Sequence, residues 1–256
     1  LPESDLSLLI NAAEEAARIA TRFWRKSPKT WEKPGLGPVS EADYEIDDML
    51  RSTLCGARPD YGWLSEETED SPARLSARRL FIVDPLDGTR AYLNGERTFA
   101  HSLAVVEDGK VVTGVVMLPL REKLYTATLG GGAFFNGTPI KVAQCGGIDG
   151  ATLLTPRRVM TPDYWRGEVP KAKAHLRPSL AYRLCLVAEG RYDAMLTTHS
   201  TWQWDIAAGA LILAEAGGTF TDTFGKEIKY NTEHPASHGT VAGCKTVHHD
   251  IIHRLA

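Results

Sequence analysis

The sequence predicts an α/β (α+β) protein of two α/β halves meeting near residue 147. Three observations lead there. An early run of apolar residues at helical spacing is followed by strand-length apolar segments joined by tight-turn dipeptides. Gly146-Gly147 then breaks the chain, and afterwards the pattern of strands and helices restarts.

Taken in order, Ser4 is placed to cap a helix running to about residue 26. Leu6, Leu9, Ile10, Ala13, Ala17, Ala20 and Trp24 fall on one of its faces. The Pro- and Gly-containing segment 33–38 ends it and reads as a mobile loop. A second helix is predicted over 41–54, apolar at Ile46, Met49 and Leu50. Residues 80–83, Leu-Phe-Ile-Val, form a buried strand stopped by Asp84-Pro85. Strands at 101–107 and 110–118 flank Asp108-Gly109, a two-residue hairpin signal, and 124–129 adds a third. Asn136-Gly137 marks a turn before a strand at 140–142. This succession predicts a largely antiparallel sheet with helices on its faces. In the second half a strand at 151–155 precedes a charged, Pro-rich loop and an apolar run at 180–188. Asp205 opens a helix that Gly217-Gly218 closes.

The bulk numbers exclude several classes. Of 256 residues, 43% are hydrophobic and 24% charged, the balance of a globular protein able to bury a core. A net charge of −3 gives no reason to expect a nucleic-acid polymer or an anionic membrane as partner. Cys55, Cys145, Cys185 and Cys244 lie far apart, so neither a zinc knuckle nor a disulfide framework is predicted, and a reducing compartment follows. The polar start lacks the pattern of a signal peptide, and no apolar stretch is long enough to span a bilayer. The expectation is a cytoplasmic protein.

The chemistry centres on Asp84-Pro85-Leu86-Asp87-Gly88-Thr89. Two carboxylates three positions apart at the end of a buried strand can converge on a hard cation, with the Leu86 carbonyl exposed between them. Gly88 allows close backbone approach to a ligand, and a helix starting near Thr89 would aim the amides of Gly88 and Thr89 at a phosphate. Taken alone, the same residues also fit an Asp-Gly turn with a capping aspartate. Glu66-Glu67, after Trp63-Leu64-Ser65, fit either a solvated acidic pair or ligands brought beside Asp84 by a sheet edge. Asp205, in Trp202-Gln203-Trp204-Asp205, fits either an N-cap or a ligand at a helix start.

Together the three segments resemble the inositol monophosphatase family, within the fructose-1,6-bisphosphatase superfamily. Its pattern of a G-E-E-like segment, D-P-[IL]-D-G-T, W-D-x-A-A-G and E-A-G-G stands here at 65–67, 84–89, 204–209 and 215–218, across nearly the whole chain. The resemblance implies a layered αβαβα sandwich, with an N-terminal half (1–147) carrying Glu66 and the Asp84 motif and a C-terminal half (148–256) carrying the Trp204-Asp205 motif. It implies a Mg2+-dependent phosphatase with two to three Mg2+ per subunit, acting on a small phosphorylated metabolite. Glu66, Asp84 and the Leu86 carbonyl then hold the first ion. Asp84, Asp87 and Asp205 hold a second, and Glu66 shares in a third. Thr89 and Glu66 orient and deprotonate the attacking water, with Asp43 polarising the Thr89 hydroxyl. The amides of Gly88 and Thr89 hold the phosphate, and no phosphoenzyme is expected. A homodimer and lithium sensitivity are further family expectations.

Lys33 resembles the family's mobile-loop lysine and equally fits an ordinary solvated lysine. His248, His249 and His253 read as the polar face of a terminal helix, and Cys185 as a core residue. Inositol 1-phosphate is the first expected substrate. Arg90 after Thr89 resembles bisphosphate nucleotidases that act on 3′-phosphoadenosine 5′-phosphate, and with Arg183 could pair with a second phosphate. Both arginines also fit plain surface positions. Histidinol phosphate is the third candidate, and a non-catalytic regulatory or binding protein on the same fold is the reading from another class.

Overall fold

The computed structural model describes residues 3–35 and 37–256. Leu1 and Pro2 of the polar start, and Leu36 within the segment 33–38, lie outside the described residues. Helix α1 (Asp5–Phe23) begins as predicted, the Ser4 hydroxyl accepting the Ser7 amide at 3.2 Å. It stops short of residue 26 because Arg25 and Ser27 adopt φ of 58° and 49°. The next segment differs from the expected loop. Strands β1 (Thr30–Lys33) and β2 (Gly37–Ser40) pair antiparallel around the Pro-Gly turn, forming a hairpin. Helix α2 (Glu41–Ala57) follows, with Ser40 and Asp43 closing a reciprocal cap.

The first sheet contains β3 (Gly62–Ser65), β4 (Arg79–Asp87), β5 (Ala100–Glu107), β6 (Lys110–Leu118), β7 (Lys123–Thr128), β8 (Gly132–Phe135) and β9 (Thr138–Pro139), neighbours in that order. Only β3 and β4 run parallel. Asp108 and Gly109, at φ 49° and 78°, supply the left-handed pair that the tight β5–β6 hairpin requires. The predicted strand at 140–142 does not form. Beyond β9 the Val142 amide bonds instead to Ala216 O, tying that segment to the end of a helix.

Strand alternation divides the sheet's residues between two cores. Phe81, Val83, Leu103, Val105 and Val115 pack under α1 and α2. Leu80, Ile82, Ala104, Val106 and Val116 face α4 (Leu180–Ala188) and α5 (Gln203–Glu215). Each of these valines, leucines, isoleucines and phenylalanines, fully buried, contributes about 1.5–3 kcal/mol. Helix α5 is apolar nearly all round because it lies between two sheets. Between β4 and β5 sits the single turn α3 (Thr89–Leu93).

The second sheet has β10 (Thr152–Leu154), β11 (Lys173–His175), β12 (Ala194–Thr197), β14 (Thr219–Thr221) and β16 (Thr240–Gly243), ordered 11-10-12-16-14. The short pair β13 (Thr201–Trp202) and β15 (Ala236–Ser237) stands apart. Helix α6 (Lys245–Arg254) covers the second sheet through Val247 and Ile251, which pack with Leu153, Leu196 and Val241. The layers therefore run α1/α2, sheet, α4/α5, sheet, α6, an αβαβα sandwich.

Two expectations need correction here. Cys145 and Cys244, 99 residues apart, are joined as a disulfide, a pairing that no local spacing signals. His248 is not on the polar face of α6: it is buried, its Nε2 lying 2.9 Å from the Thr221 hydroxyl, whereas His249 and His253 are exposed. Cys185 is a core residue as expected. No described helix is long and apolar enough to cross a membrane.

Candidate active site

In an unbroken strand, residues three apart point to opposite faces. Asp84 and Asp87 escape this because β4 carries a bulge. Asp84 pairs with Ser102 but Asp87 pairs with Ala100, so three steps on β4 match two on β5. The extra residue resets the alternation and brings both carboxylates to one side. His101 seals the bulge: its buried Nδ1 donates to the Pro85 carbonyl at 2.6 Å. Burial leaves that imidazole neutral, its pKa lowered to about 4, which the Pro85 bond only partly opposes.

Three other elements converge on this corner. The end of β3, parallel to β4, delivers Glu66, whose amide bonds to Val83 O. The first turn of α5 delivers Asp205, and α2 delivers Asp43. Oxygens of Glu66, Asp84 and Asp205 all lie within 4.8 Å of one another. Asp87 is not in that closest trio, although its charge acts on both Asp84 and Asp205. Glu66, Asp84, Asp87 and Asp205, with Leu86, Gly88, Thr89, Arg90 and Arg183, line a cleft of about 290 Å³.

The acids share one design. In each, one oxygen is fixed by the protein. Leu86 N donates to Asp84 Oδ1 at 2.9 Å, and Trp202 N to Asp205 Oδ2 at 3.2 Å. The Ser179 hydroxyl and the Ala181 amide both donate to Asp87 Oδ2 at 2.7 Å. No hydrogen bond among the described residues engages Asp84 Oδ2 or Asp205 Oδ1. Burial, then the neighbouring carboxylates, hold the Asp84 and Asp205 pKa values well above the usual range. Burial also raises Glu66 and Asp87, the latter against its Ser179 bond. Hard oxygen donors, mutually repelling and fixed on one side only, fit a divalent cation such as magnesium.

Thr89 follows Gly88, whose φ of 104° only glycine adopts readily, and any Cβ there would stand 3.4 Å from Thr98 O. The Thr89 hydroxyl lies 2.9 Å from Asp43 Oδ1 and 3.0 Å from Leu86 O. It has one proton, so it serves one acceptor at a time. Asp43 is itself held by Ser40, whose amide donates to Oδ2 at 3.0 Å. Lys33, at the end of β1, is not solvated. Its Nζ lies 2.9 Å from Glu66 and 2.8 Å from Glu67. Burial works against its charge, but the two glutamates outweigh it and raise its pKa. Glu67 is buried, and burial followed by the Glu66 charge pushes its pKa up to about 7. The adjacent glutamates are therefore not a surface pair. Arg90 is exposed and lies across the β1–β2 turn, beside Gly37, whereas Arg183 is half-buried in the cleft wall.

Sequence reasoning missed Ser179 and His101. The segment Pro178-Ser179-Leu180 gives no sign that Ser179 would take φ 65°, cap α4 and reach Asp87. For His101, an imidazole inside an apolar strand opposite Asp-Pro was the available signal.

Known proteins resemble this chain along most of its length. The model of the inositol monophosphatase family matches residues 2–255. The chain is 38% identical over 204 residues to an inositol-1-monophosphatase of Rhizobium meliloti (strain 1021), covering 73% of each chain. It is 37% identical over 238 residues to an inositol-1-monophosphatase of Mesorhizobium japonicum, covering 86% of each. Among solved structures, the extragenic suppressor protein suhB from Bartonella henselae superposes with a TM-score of 0.83 at 29% identity, covering 96% of each chain.

Proposed function

The chain belongs to the inositol monophosphatase family, and from that premise we propose that it is a magnesium-dependent phosphatase whose first substrate is inositol 1-phosphate. The observation that carries this reading is the convergence of Glu66, Asp84 and Asp205 beside the Thr89–Asp43 pair. The two relatives named inositol-1-monophosphatase support the choice of ester.

Glu66, Asp84, Asp87, Asp205 and the Leu86 carbonyl are the groups that would hold two to three Mg2+. Bound there, the cations supply Lewis-acid polarisation of the phosphoryl oxygens and lower the pKa of coordinated water. The chain's own residues do the rest. With its proton given to Asp43, the Thr89 oxygen keeps its lone pairs for a water beside it, and so orients that water. Glu66, with a raised pKa, accepts the water's proton more readily than an ordinary carboxylate. Gly88 and Thr89 amides, at the start of α3, bind the phosphate, and Arg90 stands at the same mouth. Lys33 balances the Glu66–Glu67 pair when the cage is not neutralised by cations. Homodimerisation and lithium sensitivity belong to the same reading and rest on the family resemblance alone.

The test is phosphate release from inositol 1-phosphate with Mg2+ and with excess chelator. Release that the chelator abolishes supports the reading, and release indifferent to the chelator removes the metal from it.

A further inference from the structure

Helix α2 carries two buried acids, Asp43 and Asp47, four positions apart and so on one face. Asp43 serves Thr89. Asp47 does not line the cleft, yet both of its oxygens are committed to the segment that presents Glu66. Its Oδ1 accepts the Ser65 hydroxyl and its Oδ2 the Thr68 hydroxyl, each at 2.5 Å. Those two residues stand on either side of Glu66-Glu67, so one carboxylate closes both ends of the segment.

The bonds run in one direction. The Glu67 amide donates to Ser65 Oγ at 3.4 Å, and the Trp63 indole donates to Thr68 Oγ1 at 3.1 Å. Each hydroxyl, already an acceptor, has a single proton left to donate, and Asp47 accepts both of these bonds. Lys33 acts differently, because it pairs with the glutamate carboxylates themselves, whereas Asp47 holds the residues that flank them. Burial raises the Asp47 pKa, and the Ser65 and Thr68 hydroxyls oppose this more than the charge of Arg51 does. A buried carboxylate held by hydroxyls is a costly way to complete a core. An apolar side chain at 47 would suit the cluster that Ile46 and Leu50 join beside it.

Building on the reading of the acids as a cation site, we propose that Asp47 is a positioning residue for the reaction. By holding Ser65 and Thr68 it fixes Glu66 at the distance from Asp84 and Asp205 that a divalent ion requires. Helix α2 thus serves the site twice, through Asp43 on Thr89 and through Asp47 on the glutamate segment.

Calorimetric titration of the full chain with Mg2+, without substrate, tests this. Asp47→Ala removes both acceptors and keeps a good helix former, and it should weaken Mg2+ binding about tenfold. Thr68→Val removes one arm and should weaken it about threefold, whereas Thr68→Ser keeps the hydroxyl and should bind as the wild type does. The double variant Asp47→Ala/Thr68→Val should bind no more weakly than Asp47→Ala, because the two changes remove a shared contact. Wild-type affinity in Asp47→Ala, full additivity in the double variant, or equal losses in Thr68→Ser and Thr68→Val would overturn the proposal. If Asp47→Ala does not fold, the comparison of Thr68→Val with Thr68→Ser decides alone. Failure of the cation reading looks different, with the wild type itself binding no Mg2+. Hydrogen exchange in chelator then decides. Faster exchange of the Glu66 and Glu67 amides in the variants, with the α2 amides unchanged, supports the positioning role, and unchanged exchange at both glutamates overturns it.

Discussion

Replacing Asp84 by Asn separates a cation site from a structural carboxylate, because the two roles predict opposite changes in stability. Asp84 is 1% exposed and faces Glu66 and Asp205 with oxygens no more than 4.8 Å away. At an effective dielectric of 20, two ionised carboxylates at that separation repel by about 3.5 kcal/mol. Their raised pKa values let the cation-free protein relieve part of this by holding protons, so the net gain expected from the amide is about 1–2 kcal/mol. The sign follows from linkage. A carboxyl whose folded pKa exceeds its unfolded value stabilises the fold below the unfolded pKa, and that stability is lost as pH rises through the folded pKa. In chelator at pH 8, Asp84→Asn should therefore melt about 2–8 °C above the wild type, with the gap closing toward pH 4. Saturating Mg2+ should reverse the order, because only the wild type gains the full linkage stabilisation, about 2.7 kcal/mol at a hundred times Kd. Turnover should fall about a hundredfold or more, as when one group that stabilises transition-state charge is removed. The assays are thermal unfolding with and without chelator and colorimetric phosphate release. A variant that turns over normally, or that is destabilised equally in chelator and in Mg2+, would show that Asp84 is structural.

Three further outcomes are expected. Thr89→Val keeps the shape but removes the hydroxyl that Asp43 holds, so kcat should drop about a hundredfold or more while calorimetric Mg2+ affinity changes little; a matching loss of Mg2+ affinity would reassign Thr89 to the cation site. Ser179→Ala frees Asp87 Oδ2 from one of its two donors and should weaken Mg2+ binding about tenfold, read by calorimetry without substrate; unchanged affinity would leave Ser179 as a helix cap only. His101, with its pKa depressed to about 4, is neutral in the fold yet titrates near 6.5 when unfolded, so the stability it permits is full above 6.5 and is lost as pH falls toward 4. That loss amounts to about 3 kcal/mol; urea unfolding in chelator should show a shallower acid decline for His101→Gln, and identical slopes would refute the assignment.

Which parts of this were legible in the sequence follows from the range of the forces involved. The cap of α1, the Asp108-Gly109 hairpin and the strands β5 and β6 that flank it are local, and the residues declare them. The three acidic segments were legible as motifs and as a family pattern, but not as geometry. The bulge that turns Asp84 and Asp87 to one side depends on the register of β5, to which the β4 residues give no clue. The hairpin of β1 and β2 was hidden because its strands are short and mostly polar, which removes the alternation that marks a strand. Long-range pairings were the least visible. Ser179 reaches Asp87 across 92 positions, Cys145 meets Cys244 across 99, and His248 is drawn inward by Thr221 on a neighbouring strand.

The central claim is that Glu66, Asp84 and Asp205 hold a divalent ion beside Thr89, and crystals grown with Mn2+ test it most directly. Anomalous diffraction should place at least one manganese peak within coordination distance of Asp84 Oδ2 and Asp205 Oδ1, the oxygens that no donor among the described residues engages. A well-diffracting crystal in saturating Mn2+ with no peak among these three carboxylates would contradict the account.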